Sequence, residues 1–325
     1  MADSIAVEAR DGAVPIAGRT PWQITRARVR RDTGTMIALF AAIFFIVLAL
    51  AAPILTNFGL LDPYNSHTEL LGGLGSLPKG AFGGVSWQHW MGVEPGTGRD
   101  IFSRVISGLT VSLVVATLAV LISVILGTVI GLIAGTAGGK VDWFLSRVTD
   151  FVLSFPQTLM LIALSTIVID LLQGALGTDR TIPSMIFMIL VMGFFGWPYF
   201  ARIIRGQVFS LKEREFIEAA RSLGAGRRRI YFKELLPHLW APILVYTTLI
   251  MPQNIATEAA LGFLGVGIQA PTPSFGSILN DSVHYATSDP AYFLFPGVTL
   301  FLVVLSFNLL GDGLRDALDP KADRQ

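Results

Sequence analysis

The chain has 325 residues, of which 52% are hydrophobic and only 14% charged, a balance that excludes an ordinary water-soluble globular domain. A net charge of +1 excludes the strongly basic face of a nucleic-acid binder, so no nucleic-acid partner is expected. Without cysteine there is no disulfide, thiol nucleophile or Cys-ligated zinc, and His67, His89, His238 and His284 lack metal-ligand spacing, so no metal site is expected.

A bilayer core needs roughly 20 apolar residues per spanning helix. Six stretches of that kind occur, at about 36–55, 106–134, 151–172, 182–204, 239–263 and 293–310. The expected fold class is therefore an all-α integral membrane protein with six transmembrane helices. Its expected organisation is a tail over 1–35, a first helix over 36–56, a loop over 57–105, a core over 106–312 that includes a projecting loop at 205–237, and a tail over 313–325.

The tail before Met36 is rich in Ala, Gly and Arg with little hydrophobic periodicity. It is expected to be disordered, then to place its arginines near anionic headgroups. Ala49-Leu50-Ala51 and the twin Arg30-Arg31 give the first span the look of a cleaved signal. The long polar lead, the length of the apolar run and the spans that follow favour a retained anchor. Residues 57–105 contain Gly72-Gly73, Gly75, Gly80 and Gly83-Gly84, which predicts a loop or cap with some short helix rather than an independent domain.

The second span is the longest and is expected to tilt or extend beyond the hydrocarbon. Its Gly127, Gly131 and Gly135 are four apart on one helical face, which permits a close helix contact, expected within this subunit rather than with another. Pro156, Pro198 and Pro252 each remove a helix hydrogen bond and are expected to kink the third, fourth and fifth spans.

In the loop 205–237, Phe216, Ala219, Ala220 and Leu223 recur at i, i+3, i+4 and i+7, an apolar stripe on a short helix, with Glu213, Arg214, Glu218 and Arg221 largely off it. Gly224 ends that helix through the left-handed conformation and Gly226 permits a further turn. Small Ala219 and Ala220 would let another protein approach closely, and Glu218 would accept a charge-assisted bond from it. An amphipathic helix lying on the membrane surface, with Arg227, Arg228 and Arg229 against headgroups, suits the same pattern. The residues alone leave both readings open.

Glu258 is the main ionisable group inside the predicted spans, with Asn254 one turn before it on the same face and Gln253 adjacent. An intramembrane carboxylate marks a translocation path or gate by default. The competing reading is a hydrogen bond that fixes the Gly- and Pro-rich turn after Phe263. Twenty of the 24 Lys and Arg residues fall on the side of the N-terminal tail when six spans alternate, which places both termini in the cytoplasm. No Gly-x4-Gly-Lys-Ser/Thr segment is present to cradle ATP phosphates, and no Ser-His-Asp, paired-carboxylate or His-Glu-x-x-His arrangement suggests a catalytic site. No bound cofactor and no enzyme activity are expected of this chain.

Glu218-Ala219-Ala220, then Gly224 and Leu235-Leu236-Pro237, resembles the EAA loop of binding-protein-dependent ABC importer permeases. The text from Phe216 through Arg221 to Ala225 is similar to the C component of the dipeptide/oligopeptide/nickel branch. Met91-Gly92, Gly98-Arg99-Asp100, Ser103-Arg104 and Ser112-Leu113 resemble the branch's entry into its second helix. Glu258 to Gly265 with Pro271, Pro273-Ser274 and Gly276 resembles its fifth-helix exit, and Gly311-Asp312, Leu314-Arg315-Asp316 and Leu318-Asp319-Pro320 its C-terminal signature. Thr110 and Phe275 depart from it, standing where Arg and Trp are common, and 57–89 carries no recognisable motif.

The resemblance implies a type I importer fold in which 205–237 forms the coupling helix that docks on an ATPase, with Phe216, Glu218, Ala219, Ala220, Arg221, Leu223, Gly224 and Pro237 as its residues. It implies a bacterial or archaeal cytoplasmic membrane, a second related permease, two ATPase subunits that use ATP and Mg2+, and an extracytoplasmic solute-binding protein. Di- or oligopeptides are the expected substrate, with nickel or its chelates, glutathione and oligosaccharides as alternatives. A secondary transporter would need midplane coupling-ion sites or internal repeats, which the sequence does not show.

Overall fold

The computed structural model describes residues 21–73 and 76–318; residues 1–20 and the Asp319-Pro320 part of the C-terminal signature lie outside the described residues. The described residues begin with α1 (Pro21–Arg31), so the Arg-rich part of the tail, expected to follow a disordered stretch, is a helix. Arg28, Arg30 and Arg31 fall in its last turn, where they offset the negative end of the helix dipole. α1 also has a partner: Arg28 Nη1 donates to the carbonyl of Ala317 at 3.3 Å, near the end of the final helix.

Asp32 caps α2 (Thr33–Asn57), accepting from the backbone N–H of Gly34 and Thr35 at 3.1 Å each. One side of α2 is made of Ala38, Ala42, Phe45, Ala49 and Ala52, all buried, so small residues let it lie close against its neighbours. The other side, Ile43, Val47, Leu50, Ile54 and Phe58, is an exposed apolar stripe with helical spacing, the surface a spanning helix turns to lipid.

The segment between α2 and α3 folds over the ends of the helices as a cap. It holds β1 (Leu71–Gly72) and β2 (Leu77–Pro78), antiparallel with Leu71 opposite Pro78, and two short turns of 3-10 helix. α3 (Ile101–Ala137) starts five residues before the apolar run, because Asp100 caps it through the N–H of Ser103 at 2.7 Å. Its 37 residues span about 55 Å, well beyond a hydrocarbon core of about 30 Å.

Gly138 and Gly139, at φ +63° and +55°, turn the chain into α4 (Gly139–Ser154). α5 (Gln157–Leu176) follows after Pro156. This corrects two expectations. Residues 151–154 belong to α4, and Pro156 separates two helices instead of kinking one, since it sits at the cap position where its missing N–H costs nothing. α6 (Thr181–Leu211) and α7 (Glu215–Ser222) lead to α8 (Arg227–His238) and α9 (Trp240–Phe263), which meet at 59°. α10 (Phe275–Val283), which no apolar run announces, and α11 (Pro290–Leu318) complete the order. Pro198 and Pro252 lie inside α6 and α9, which continue past them. Among the described residues, five helices are long and apolar enough to span a bilayer, or six when α8 and α9 are taken as one bent span.

The most extensive helix contact is α3 against α6. A Cβ on Gly131 would stand 2.6 Å from the Ala201 carbonyl oxygen, on Gly127 2.9 Å from that of Trp197, and on Gly135 2.7 Å from Val208. Gly193 of α6 is reciprocal, meeting Ile122 at the same 2.7 Å. The glycine face thus serves packing within the chain, as expected, because backbones can close only where neither helix carries a side chain. α9 rests on α3 and α11, and α2 lies across α3 and α11.

Candidate coupling site and its links to the membrane helices

α7 is the projecting helix of the sequence reading, ended as its glycine requires. Gly224 has φ +79°, its N–H bonds to the carbonyl of Arg221 at 2.9 Å, and the next N–H, of Ala225, reaches back to Ala220 at 3.0 Å. This pair of bonds is the Schellman closure, and it turns the chain toward α8. Glu215 and Glu218 in the first turn and Arg221 in the last complement the helix dipole.

The face that anchors α7 differs from the expected stripe. Ile217 is fully buried, with Phe216 and Ala220 half-buried beside it, while Ala219 is exposed and Leu223 is 87% exposed. Leu223 occupies the capping position and no longer follows helical spacing. Ile217 enters a cluster with Val208 and Ile204 of α6, Leu132 of α3, Ile230 and Leu235 of α8, and Ile243 of α9. The Phe216 ring stacks on His238, 4.7 Å between centroids, next to exposed Pro237. One side of the helix is therefore locked to three membrane helices, and the other leaves Glu218, Ala219, Ser222 and Leu223 exposed. Close-packed side chains join this helix to α6 and α9.

α4 braces the same region. Arg205 of α6 grips Asp142 with two bonds of 2.5 and 2.7 Å, and Arg202 reaches Asp150 at 2.5 Å. The Arg205 guanidinium holds the Asp142 carboxyl below the usual carboxylate range.

On α9 the predicted path residues divide. Asn254 and Glu258 are buried and Gln253 is exposed. Ser112 of α3 donates to Glu258 Oε2 at 2.5 Å, and the Ser112 hydroxyl also lies 3.4 Å from the N–H of Phe275, at the start of α10. Glu258 thus ties α9 to α3 and to the turn that opens α10. Just above, Gly262 and Gly276 pack backbone to backbone. Gln253, with Ala256 and Ala260, forms the open face of α9.

At the cap, Gly98, Arg99 and Asp100 form a junction. Gly98 at φ +71° lies against the backbone of His67, to which it bonds at 3.0 Å. The Arg99 carbonyl accepts from Glu94 N–H at 2.8 Å, and Asp100 pairs with His89 Nδ1 at 2.9 Å. Beneath it lies a buried ion pair absent from the sequence reading. Arg104 Nε meets Glu94 Oε1, Tyr292 donates to the same oxygen at 3.0 Å, and Thr97 donates to Oε2 at 2.8 Å. Arg104 Nη1 also reaches the Pro271 carbonyl at 3.2 Å. Cap, α3, the α9–α10 loop and α11 converge on this group. In the sequence Arg104 stands out as a charge near the start of an apolar run and within the Ser103-Arg104 text, and nothing local pairs it with Glu94 or Tyr292.

Residues 127–324 match the family described as binding-protein-dependent transport system inner membrane component, and 20–71 match the N-terminal TM domain of oligopeptide transport permease C. The chain is 39% identical to the dipeptide transport system permease protein DppC of Alkalihalophilus pseudofirmus, over 93% of this chain and 90% of that one. It is 40% identical to the glutathione transport system permease protein GsiD of Salmonella typhimurium, over 93% and 91%. A solved inward-facing form of the MetNI methionine ABC transporter shares the fold, with a TM-score of 0.51 at 18% identity, over 66% of this chain and 96% of that one. The matches over most of the chain show that it belongs to the binding-protein-dependent transport system inner membrane components, the multi-pass permease subunits of ABC importers.

Proposed function

We propose that this permease carries di- or oligopeptides into the cell. Delivery is by an extracytoplasmic solute-binding protein, and the path is shared with a second related permease. Two cytoplasmic ATPase subunits supply the ATP and Mg2+ chemistry. The observation that carries the reading is the two-sided α7 helix, whose inner side is locked by Ile217 and whose outer side displays Glu218, Ala219 and Leu223. Identity to the dipeptide permease supports the substrate class.

ATP-driven closure of the ATPases would push on α7, and the shared cluster would pass the motion to α6 and α9. Above Pro252, the Glu258 bond to Ser112 makes α9 move with α3 and the start of α10. Such alternating access requires two discrete arrangements that ATP binds differently. With Glu258 buried in a structural bond, the open face of α9 offers only Gln253 and Thr257 as polar groups near it, the latter bonded to the Gln253 carbonyl at 2.8 Å, too little to read a peptide sequence. Selection then lies with the binding protein.

In proteoliposomes holding the whole complex, a dipeptide with its binding protein is expected to stimulate ATP hydrolysis and accumulate inside. Stimulation by glutathione or a nickel chelate but not by dipeptides would reassign the substrate, and uptake driven by an ion gradient without ATP would reject the class.

The orientation reading places the cap outside and α7 in the cytoplasm. Single cysteines at the exposed positions Ser76 and Thr287 are expected to react with an impermeant maleimide on intact cells, and one at Ser222 only after permeabilisation. Labelling of all three from one side would refute it.

A further inference from the structure

Three cavities run in line down α3, the first two along its seam with α2 and the third between α3, α9 and α11. The first, of about 230 Å³, lies under the cap and is lined by Thr56, Asn57, Tyr64, Ser107 and Thr110 among others. The second, of about 420 Å³, shares Thr110 with it and continues between Ile46 and Leu50 of α2 and Leu113 and Leu118 of α3. The third, of about 330 Å³, shares Thr117, Met251 and Phe307 with the second and ends at Val124. From Thr110 to Val124 the axial rise is about 21 Å, a groove that starts beneath the cap and passes the depth of one leaflet.

The chemistry changes along it. In the two deeper cavities the hydroxyls of Thr110, Thr247 and Thr248 are spent on backbone carbonyls, and that of Thr117 lies 4.0 Å from the Met251 sulfur. Thr110 donates to the Ala49 carbonyl at 2.7 Å, Thr247 to Ile243 at 2.7 Å and Thr248 to Leu244 at 3.1 Å. The remaining lining is aliphatic, aromatic or thioether, so this length asks for hydrocarbon. At the mouth, by contrast, Ser107 Oγ has no hydrogen-bond partner, and Tyr64 and Asn57 add neutral polar groups without any charge.

The walls continue without a step into surfaces that face lipid. Leu50 and Ile46 on α2, and Val114, Leu118 and Leu121 on α3, are all exposed apolar side chains. The two deeper cavities, spread over that length, give a cross-section on the order of 40 Å², too narrow for a helix about 10 Å across. An empty channel of this kind in a bilayer would forfeit the contacts of its whole lining.

We propose that this groove holds one acyl chain of a bilayer phospholipid from the cap-side leaflet, with its glycerol ester at the Ser107 mouth. The bound chain fills the seam between α2 and the core helices and so fixes the first helix against α3. Because the mouth is uncharged, the site selects for a glycerophospholipid ester and not for an anionic headgroup.

The test uses the assembled complex. A phospholipid with a photoreactive group near the middle of its acyl chain, incorporated in vesicles, is expected to label the groove around Leu113, Thr117 and Met251. Native mass spectrometry is expected to find one phospholipid per permease that survives detergent exchange. Thr117→Trp, at an exposed position where the larger ring fills the groove, should abolish both, and Ser107→Ala should lower retention while leaving the position of the adduct unchanged. Adducts confined to Ile43, Val47 and Ile54, groove residues crosslinked instead to the partner permease, or a lipid retained by Thr117→Trp would each overturn the assignment.

Discussion

A complex carrying Gly224→Val is expected to assemble and hydrolyse ATP but to lose import by about an order of magnitude. Gly224 sits at φ +79°, and a Cβ there would meet no atom within 4 Å, so the substitution costs conformation and not space. For an L residue that region costs roughly 1–2 kcal/mol, most for a β-branched one. The cheapest relief is to open the Schellman closure. Opening it unwinds the last turn of α7 and withdraws Leu223 from the outer face. A loss of 1.4 kcal/mol in docking corresponds to tenfold.

Gly224→Asn, which tolerates the left-handed region, should keep most of the import. Glu218→Lys should uncouple by charge instead, and Glu218→Gln separates that effect from helix stability, since a lysine in the first turn also opposes the dipole by up to about 1 kcal/mol. The readout is substrate-stimulated ATP hydrolysis against uptake in the same vesicles. Normal import by both Gly224→Val and Glu218→Lys would remove α7 from the coupling path.

The second large effect is expected at the cap. Arg104→Ala leaves the Glu94 carboxylate buried without its cation, a change that costs about 3–5 kcal/mol when a buried pair is broken from one side. Such a loss is comparable with the whole stability of many folds, so little folded permease should be recovered. Arg104→Ala with Glu94→Ala should regain part of it, because no charge is then stranded. Tyr292→Phe removes a single hydrogen bond and should cost only about 1 kcal/mol. Folded yield after detergent extraction and thermal unfolding of the purified complex give the order. If Arg104→Ala melts with the parent, or the double variant is worse than the single, the pair does not hold the cap.

The sequence by itself determined what depends on local hydropathy and local backbone chemistry. A span is set by about 20 consecutive apolar residues, so α2, α6, α9 and α11 lie near where composition places them. The α3 glycine face, the left-handed Gly224 and the EAA text around Glu218 are likewise local features, legible without any partner.

What only the tertiary structure decided involves residues far apart in the chain. Glu94, Arg104 and Tyr292 meet across 198 positions, and Ser112 and Glu258 across 146, distances over which no periodicity survives. The anchor of α7 belongs to the same class. An eight-residue helix permits either Phe216 with Leu223 or Ile217 as its inward face, and the choice falls to Ile217 because α6, α8 and α9 leave their apolar pocket there. The α4–α5 break leaves no mark in the hydropathy, which runs across it. Pro156 breaks the two helices apart, and the pairs of Asp142 with Arg205 and Asp150 with Arg202 hold α4 against α6 outside the apolar span.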